Sequence, residues 1–141
     1  MGESPRVFLS YAHNDVELAR EVTDALAREG VRVWTDLQVT PGRPWAEEID
    51  RAVRDSQAFV VLLTPNFESS RFGMAELGFV MSEQRDSGKP LVTVQVGDAT
   101  PLFSVDRFAV IDGRGLSPRE IADRVGHAVT RRLQSKPAAA E

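Results

Sequence analysis

Phe59-Val60-Val61-Leu62-Leu63 is apolar at every position and is closed by Thr64-Pro65. A strand with one wet face alternates apolar and polar residues, whereas a strand covered on both faces does not. This segment therefore reads as a central strand with helices above and below it. Upstream, Val7-Phe8-Leu9 and Val31-Arg32-Val33-Trp34 are shorter runs of the same kind. Downstream, residues 91–96 and Phe108-Ala109-Val110-Ile111 complete a set of five.

Helical spacing fills the intervals. Leu18, Val22, Ala25 and Leu26 recur on one helical face, with Asn14 and Glu17 as a candidate capping box and Gly30 as the stop. Trp45, Ile49, Ala52 and Val53 mark a second helix. A third spans residues 70–87, with Phe72, Ala75, Leu77, Phe79 and Val80 among its apolar residues, and ends at Gly88. The last begins at Ser117-Pro118-Arg119-Glu120, with a capping Ser, a Pro at the first helical position and a Glu three residues after the cap, and presents Ile121, Val125, Val129 and Leu133. Strands alternating with helices imply parallel pairing through right-handed crossovers. The expected fold is an α/β domain built on a small, doubly wound, five-stranded parallel sheet. One domain over residues 6–134 is expected, with flexible ends at 1–5 and 135–141 and the possibility of a fused or separate partner domain.

The chain has 141 residues, a formal charge of −4 and no cysteine. One domain suits this length. The acidic balance speaks against a general nucleic-acid binder, which needs a basic footprint. Lack of cysteine removes disulfides, thiolate nucleophiles and cysteine–metal sites, as a reducing cytoplasm would allow. No secretory signal pattern opens the chain, and no apolar segment approaches the roughly 20 residues of a membrane span. A cytoplasmic protein without membrane or nucleic-acid partners is the expectation.

In a doubly wound sheet, ligands collect beyond the carboxyl ends of the strands. The loops of interest are thus 10–14, 35–44, 64–70, 97–106 and 112–116. They hold no Gly-rich phosphate motif. With two separated histidines, His13 and His127, no metal site is expected. Ser10 lacks the nucleophile-elbow context of a hydrolase. Strand three ends in Thr64 and strand one in Ser10-Tyr11, so the acidic residues of a phospho-acceptor receiver are missing. One acid stands out. Glu76 lies in a helix, four residues after Phe72 and before the apolar run Leu77-Gly78-Phe79-Val80. Most helix glutamates are solvated; one among apolar neighbours costs desolvation unless it is paired or used.

Several segments in order resemble the TIR (Toll/interleukin-1 receptor) family, in its bacterial form. Val7-Phe8-Leu9-Ser10-Tyr11 is similar to the family's first box. Val33-Trp34-Thr35-Asp36 with Pro41-Gly42 resembles its second strand and following loop. Gly42, Trp45, Ile49, Ala52, Val53 and Ser56 follow the family spacing. Ser70-Arg71-Phe72-Gly73-Met74-Ala75-Glu76-Leu77 is similar to the family's Ser-x-Trp-Cys-x-x-Glu-Leu segment, with Phe72 where many members have Trp and Gly73 where many have Cys.

This resemblance implies a flavodoxin-like three-layer α/β fold with a five-stranded parallel sheet in the order 2-1-3-4-5, and cleavage of the nicotinamide–ribose bond of NAD+, which is a substrate, with no cofactor required. The products would be nicotinamide and ADP-ribose or a cyclic ADP-ribose isomer, in prokaryotic antiphage signalling. Glu76 aligns with the family's catalytic glutamate. Ser10, Tyr11, Asp36, Trp45, Ser70 and Phe72 are the implied substrate-binding residues, Asp36 towards a ribose hydroxyl and the aromatic pair towards the nicotinamide. A place in the first turns of its helix would favour the ionised form of Glu76. Self-association through TIR–TIR contacts is implied as well, with the 35–44 loop expected to be mobile and to join subunits. The competing functions are a non-catalytic TIR adaptor and a base-exchanging or deoxyribosyl-transferring enzyme of related fold.

Overall fold

In a computed structural model, residues 4–38, 41–97 and 109–134 are described. The strands are β1 (Arg6–Ser10), β2 (Arg32–Trp34), β3 (Ala58–Leu63), β4 (Leu91–Gln95) and β5 (Ala109–Asp112). The α-helices are α1 (Val16–Arg28), α2 (Trp45–Asp55), α3 (Pro65–Glu68), α4 (Arg71–Ser87) and α5 (Pro118–Gln134). All strand pairs are parallel, in the order β2-β1-β3-β4-β5. The flavodoxin-like fold and strand order expected from the sequence are thus observed.

Every residue of β3 is buried, because the sheet is covered twice. Strand alternation divides the side chains. Val7, Leu9, Val60, Leu62, Val92 and Val94 face α1 and α5, against Leu18, Val22, Leu26, Ile121, Val125 and Val129. Phe8, Phe59, Val61 and Leu63 face α2, α3 and α4, against Ile49, Val53, Phe67, Leu77 and Val80. By the same alternation Ser10 follows Phe8 onto the α4 side.

The expected cap of α1 is not what forms. His13–Asp15 is a single 3-10 turn, and Asp15, not Asn14, holds the N-cap position without a side-chain bond to the helix. The Asp15 carboxylate is occupied elsewhere. It accepts from Thr64 Oγ1 at 2.5 Å and from Asn66 Nδ2 at 3.0 Å, which ties the loop after β1 to the loop after β3. That second loop holds a short helix, α3, where the sequence suggested only a break at Pro65. Pro65 takes the first helical position, and Thr64 Oγ1 accepts from Phe67 N at 3.0 Å.

The other end signals act as expected. Glu29 and Gly30 end α1, with Gly30 at φ +81°, and Gly88 ends α4 at φ +73°; both lie in the left-handed region that glycine adopts without strain. Ser117 and Glu120 form the capping box: Glu120 N donates to Ser117 Oγ at 3.1 Å and Ser117 N donates to Glu120 Oε1 at 2.8 Å. Phe108, most of the 97–106 loop, residues 39–40 and the ends 1–3 and 135–141 lie outside the described residues. Among the described residues, no helix is long and apolar enough to cross a membrane.

Candidate active site

Beyond the carboxyl ends of β1 and β2, three elements bring two acids together. Ser10, the last residue of β1, is fully buried and donates its hydroxyl to Glu76 Oε1 at 2.7 Å. Glu76 projects from α4 with an exposure of 1%. Its second oxygen, Oε2, is buried and receives no donor. Asp36, in the 3-10 turn Asp36–Gln38 that follows β2, places its carboxyl beside that of Glu76. Two ionised carboxylates at such a distance repel one another, and a proton carried by one of them supplies the missing donor.

The carboxyl of Glu76 is accordingly pushed up to about 9. Burial is the largest cause, the hydrogen bond and charge of Asp36 add to it, and the Ser10 hydroxyl opposes it. This corrects the expectation from the helix dipole. Glu76 lies in the second turn of α4, past the first turn where the dipole acts most, and desolvation prevails. At neutral pH without ligand, Glu76 therefore carries a proton.

Around this pair the other expected residues take distinct places. Tyr11 is buried beside the acids; burial, followed by the charge of Asp36, holds its phenol above the usual range. Trp45 opens α2 and is half-buried, its ring 5.5 Å from Phe72 and 6.4 Å from Phe79. Phe72 is 53% exposed and stands one turn before Glu76 on α4, so Trp45 and Phe72 make an aromatic edge next to the acids. Ser70 is the N-cap of α4, and its Oγ accepts from Gly73 N at 3.0 Å. Gly73 is there for space. A Cβ on it would lie 2.9 Å from Phe67 Cε1, and Phe67 is fully buried, so any larger residue here would force that ring to shift.

His13, which follows β1 and was set aside above only as a metal ligand, reaches the site. Its Nε2 lies 3.3 Å and 3.4 Å from the two oxygens of Asp36. The signal available was its place in the loop after β1; its partner 23 residues away was not legible. His127 is exposed on α5, as expected. Among the described residues, no group of three or more His, Asp or Glu side chains is arranged to hold a metal ion.

Fold and site together define a flavodoxin-like α/β domain with a buried, proton-sharing acid pair at the carboxyl edge of its sheet. The TIR domain model matches residues 7–127, and the chain belongs to the TIR domain family. It is 31% identical over 84 residues to the disease resistance protein RPV1 of Vitis rotundifolia, covering 58% of this chain and 6% of that protein. It is 29% identical over 90 residues to the disease resistance protein TAO1 of Arabidopsis thaliana, covering 62% and 8%. The chain thus spans less than a tenth of the length of these relatives.

Among solved structures, the TIR domain of the Toll-related receptor TRR-2 from Hydra magnipapillata superposes with a TM-score of 0.66 at 17% identity, covering 92% of this chain and 98% of that one. The TIR domains of the activated Roq1 resistosome, described as directly recognizing the pathogen effector XopQ, give 0.61 at 20% identity over 93% and 76%. The CMP N-glycosidase BcmB of Clostridium botulinum gives 0.61 at 15% identity over 87% and 98%. At these identities the structures share the fold with this chain.

Proposed function

We propose that this domain cleaves the nicotinamide–ribose bond of NAD+, releasing nicotinamide and ADP-ribose or a cyclic ADP-ribose isomer, with Glu76 as the catalytic acid group. The observation that carries this reading is the burial of Glu76 against Ser10 and Asp36 at the strand ends. An acid kept there costs desolvation that apolar packing would avoid, and such groups concentrate at functional sites. The fold shared with a structure described as a CMP N-glycosidase supports chemistry at an N-glycosidic bond on this scaffold.

The reaction suits the site. The glycosidic C–N bond breaks with both electrons passing to the ring nitrogen, so the cationic pyridinium leaves as neutral nicotinamide and needs no proton. Positive charge develops on the ribose, and a nearby carboxylate stabilises it. The positive nicotinamide ring of NAD+, placed beside the acid pair, lowers its proton affinity, so Glu76 gives its proton to solvent water and is anionic when the charge is useful. In this reading Asp36 takes a ribose hydroxyl and the paired rings of Trp45 and Phe72 take a ring face, which their 5.5 Å contact supports. Water then adds to the ribose to give ADP-ribose and one proton, or an adenine nitrogen closes the cyclic product. Activation by self-association and a role in prokaryotic antiphage signalling belong to the same proposal; the relatives named as disease resistance proteins support an immune role.

The experiment is nicotinamide release by concentrated protein, wild type against Glu76→Gln. We expect the variant to lose at least about a hundredfold in rate, the usual consequence of removing one well-placed electrostatic group. Equal rates would exclude Glu76 as the catalytic group. Absence of release from both proteins, even when crowded into assemblies, would favour a TIR adaptor instead.

A further inference from the structure

His13 and Asp36 differ sharply in exposure. The His13 side chain is 59% exposed, and the Asp36 side chain it meets is 8% exposed. Asp36 in turn adjoins Glu76, which is 1% exposed. Exposure therefore falls from His13 through Asp36 to Glu76. The neighbouring ionisable groups have other engagements or lie to one side. Asp15, the other acid of the same turn, accepts from Thr64 and Asn66. The Tyr11 ring sits 6.4 Å from the imidazole, centre to centre, at an edge-on angle of 64°. Ser10 donates to Glu76.

Nε2 lies 3.3 Å and 3.4 Å from the two carboxylate oxygens, so the tautomer that carries its proton there donates to Asp36. We propose that His13 is a positioning residue of the active site: by donating to Asp36 it fixes that carboxyl against Glu76, so that the proton of the pair rests on Glu76 until the cationic nicotinamide ring of the substrate displaces it. The inference rests on the NAD+ reading for its role in turnover, and on geometry alone for its effect on the pair.

The test uses His13→Ala, which removes the contact with Asp36, and His13→Gln, whose amide can still donate to it. Two readouts are taken: proton loss from Glu76, followed by carbon NMR of its carboxyl, and nicotinamide release from NAD+ at pH 6 and pH 9. In His13→Ala, Glu76 is expected to give up its proton about one pH unit later than in wild type, and His13→Gln to restore most of that shift. Turnover in His13→Ala is expected to fall about tenfold at pH 6, since one pH unit of proton affinity is a tenfold change. His13→Gln is expected within about twofold of wild type at both pH values, because its amide still donates to Asp36. A Glu76 titration in His13→Ala matching wild type would overturn the proposal, as would a loss in His13→Gln equal to that in His13→Ala. Wild-type protein that releases no nicotinamide would overturn the NAD+ reading instead, and the carbon titration would then decide the role of His13 alone.

Discussion

Helices α4 and α5 are both 17 residues long, both begin at a serine cap and both lie against the same sheet. Their buried residues differ. On α5 they are Ile121, Ala122, Val125, Gly126 and Val129, a continuous small and apolar stripe at helical spacing. On α4 they are Gly73, Glu76, Leu77 and Val80, while Phe72 and Met74 face outward. One helix follows the ordinary rule, and the other inverts it over the turns beside the candidate site. Local rules are broken where a site is built, and the stability lost there is supplied elsewhere. In this molecule the contact of α5 with α1 and the sheet supplies it, and the turn from Phe72 to Leu77 carries the proposed chemistry.

That division can be broken first by cutting into α5. Ile121 is 2% exposed, and Ile121→Ala is expected to cost about 2–5 kcal/mol of stability by leaving a cavity. Denaturant unfolding measures the loss. Activity per folded molecule should be unchanged, and a selective fall in turnover with intact stability would show that α5 is part of the site after all.

The second test sharpens the contrast through pH. Glu76 has an ordinary value of 4.5 and is pushed up to about 9 in the fold. Between those values the folded protein holds a proton that the unfolded chain has already released, so wild-type stability falls as pH rises. Below the window both states hold it; above, both have lost it. Glu76→Gln resembles the protonated side chain at every pH. Its advantage over wild type should therefore grow from about pH 5 to about pH 9, at up to about 1.4 kcal/mol per pH unit, and then level off. Melting temperatures across the range check this. A constant difference between the two proteins would mean that Glu76 is already ionised in the fold.

The smallest effect compares the two caps. Ser117→Ala and Ser70→Ala each remove a hydroxyl that accepts from a helix N–H, and each should cost about 1 kcal/mol. Thermal unfolding of the pair is expected to give similar losses. With NAD+ as substrate, KM should rise in Ser70→Ala alone, because Ser70 caps the helix that carries Glu76; equal KM values would restrict Ser70 to capping.

Parts of this arrangement were open to reading from the chain. The all-apolar run at 59–63, the helical spacing of Leu18 to Leu26, the Ser117–Glu120 box and the glycine stops at Gly30 and Gly88 are local signals with local causes. Periodicity and capping act within a few residues, so the sequence carries them directly. Parallel strands joined by helices then leave few topologies, and 2-1-3-4-5 is the one observed.

What lay beyond reach were pairings across the chain. Asn14 and Glu17 had the spacing of a capping box, but Thr64 and Asn66, some fifty residues away, drew Asp15 into the loop contact and a 3-10 turn formed instead. Phe72 had the residue type of a core position and became surface. Glu76 was marked out by its apolar neighbours, yet nothing local said that Ser10 and Asp36 would meet it, or that His13 would stand behind Asp36. The chain by itself determined the elements, their order and a short set of strand-end candidates, because helices, strands and caps are held by near neighbours. Only the tertiary structure decided the protonation of the acid pair, because desolvation and charge coupling depend on distance in space and on excluded water.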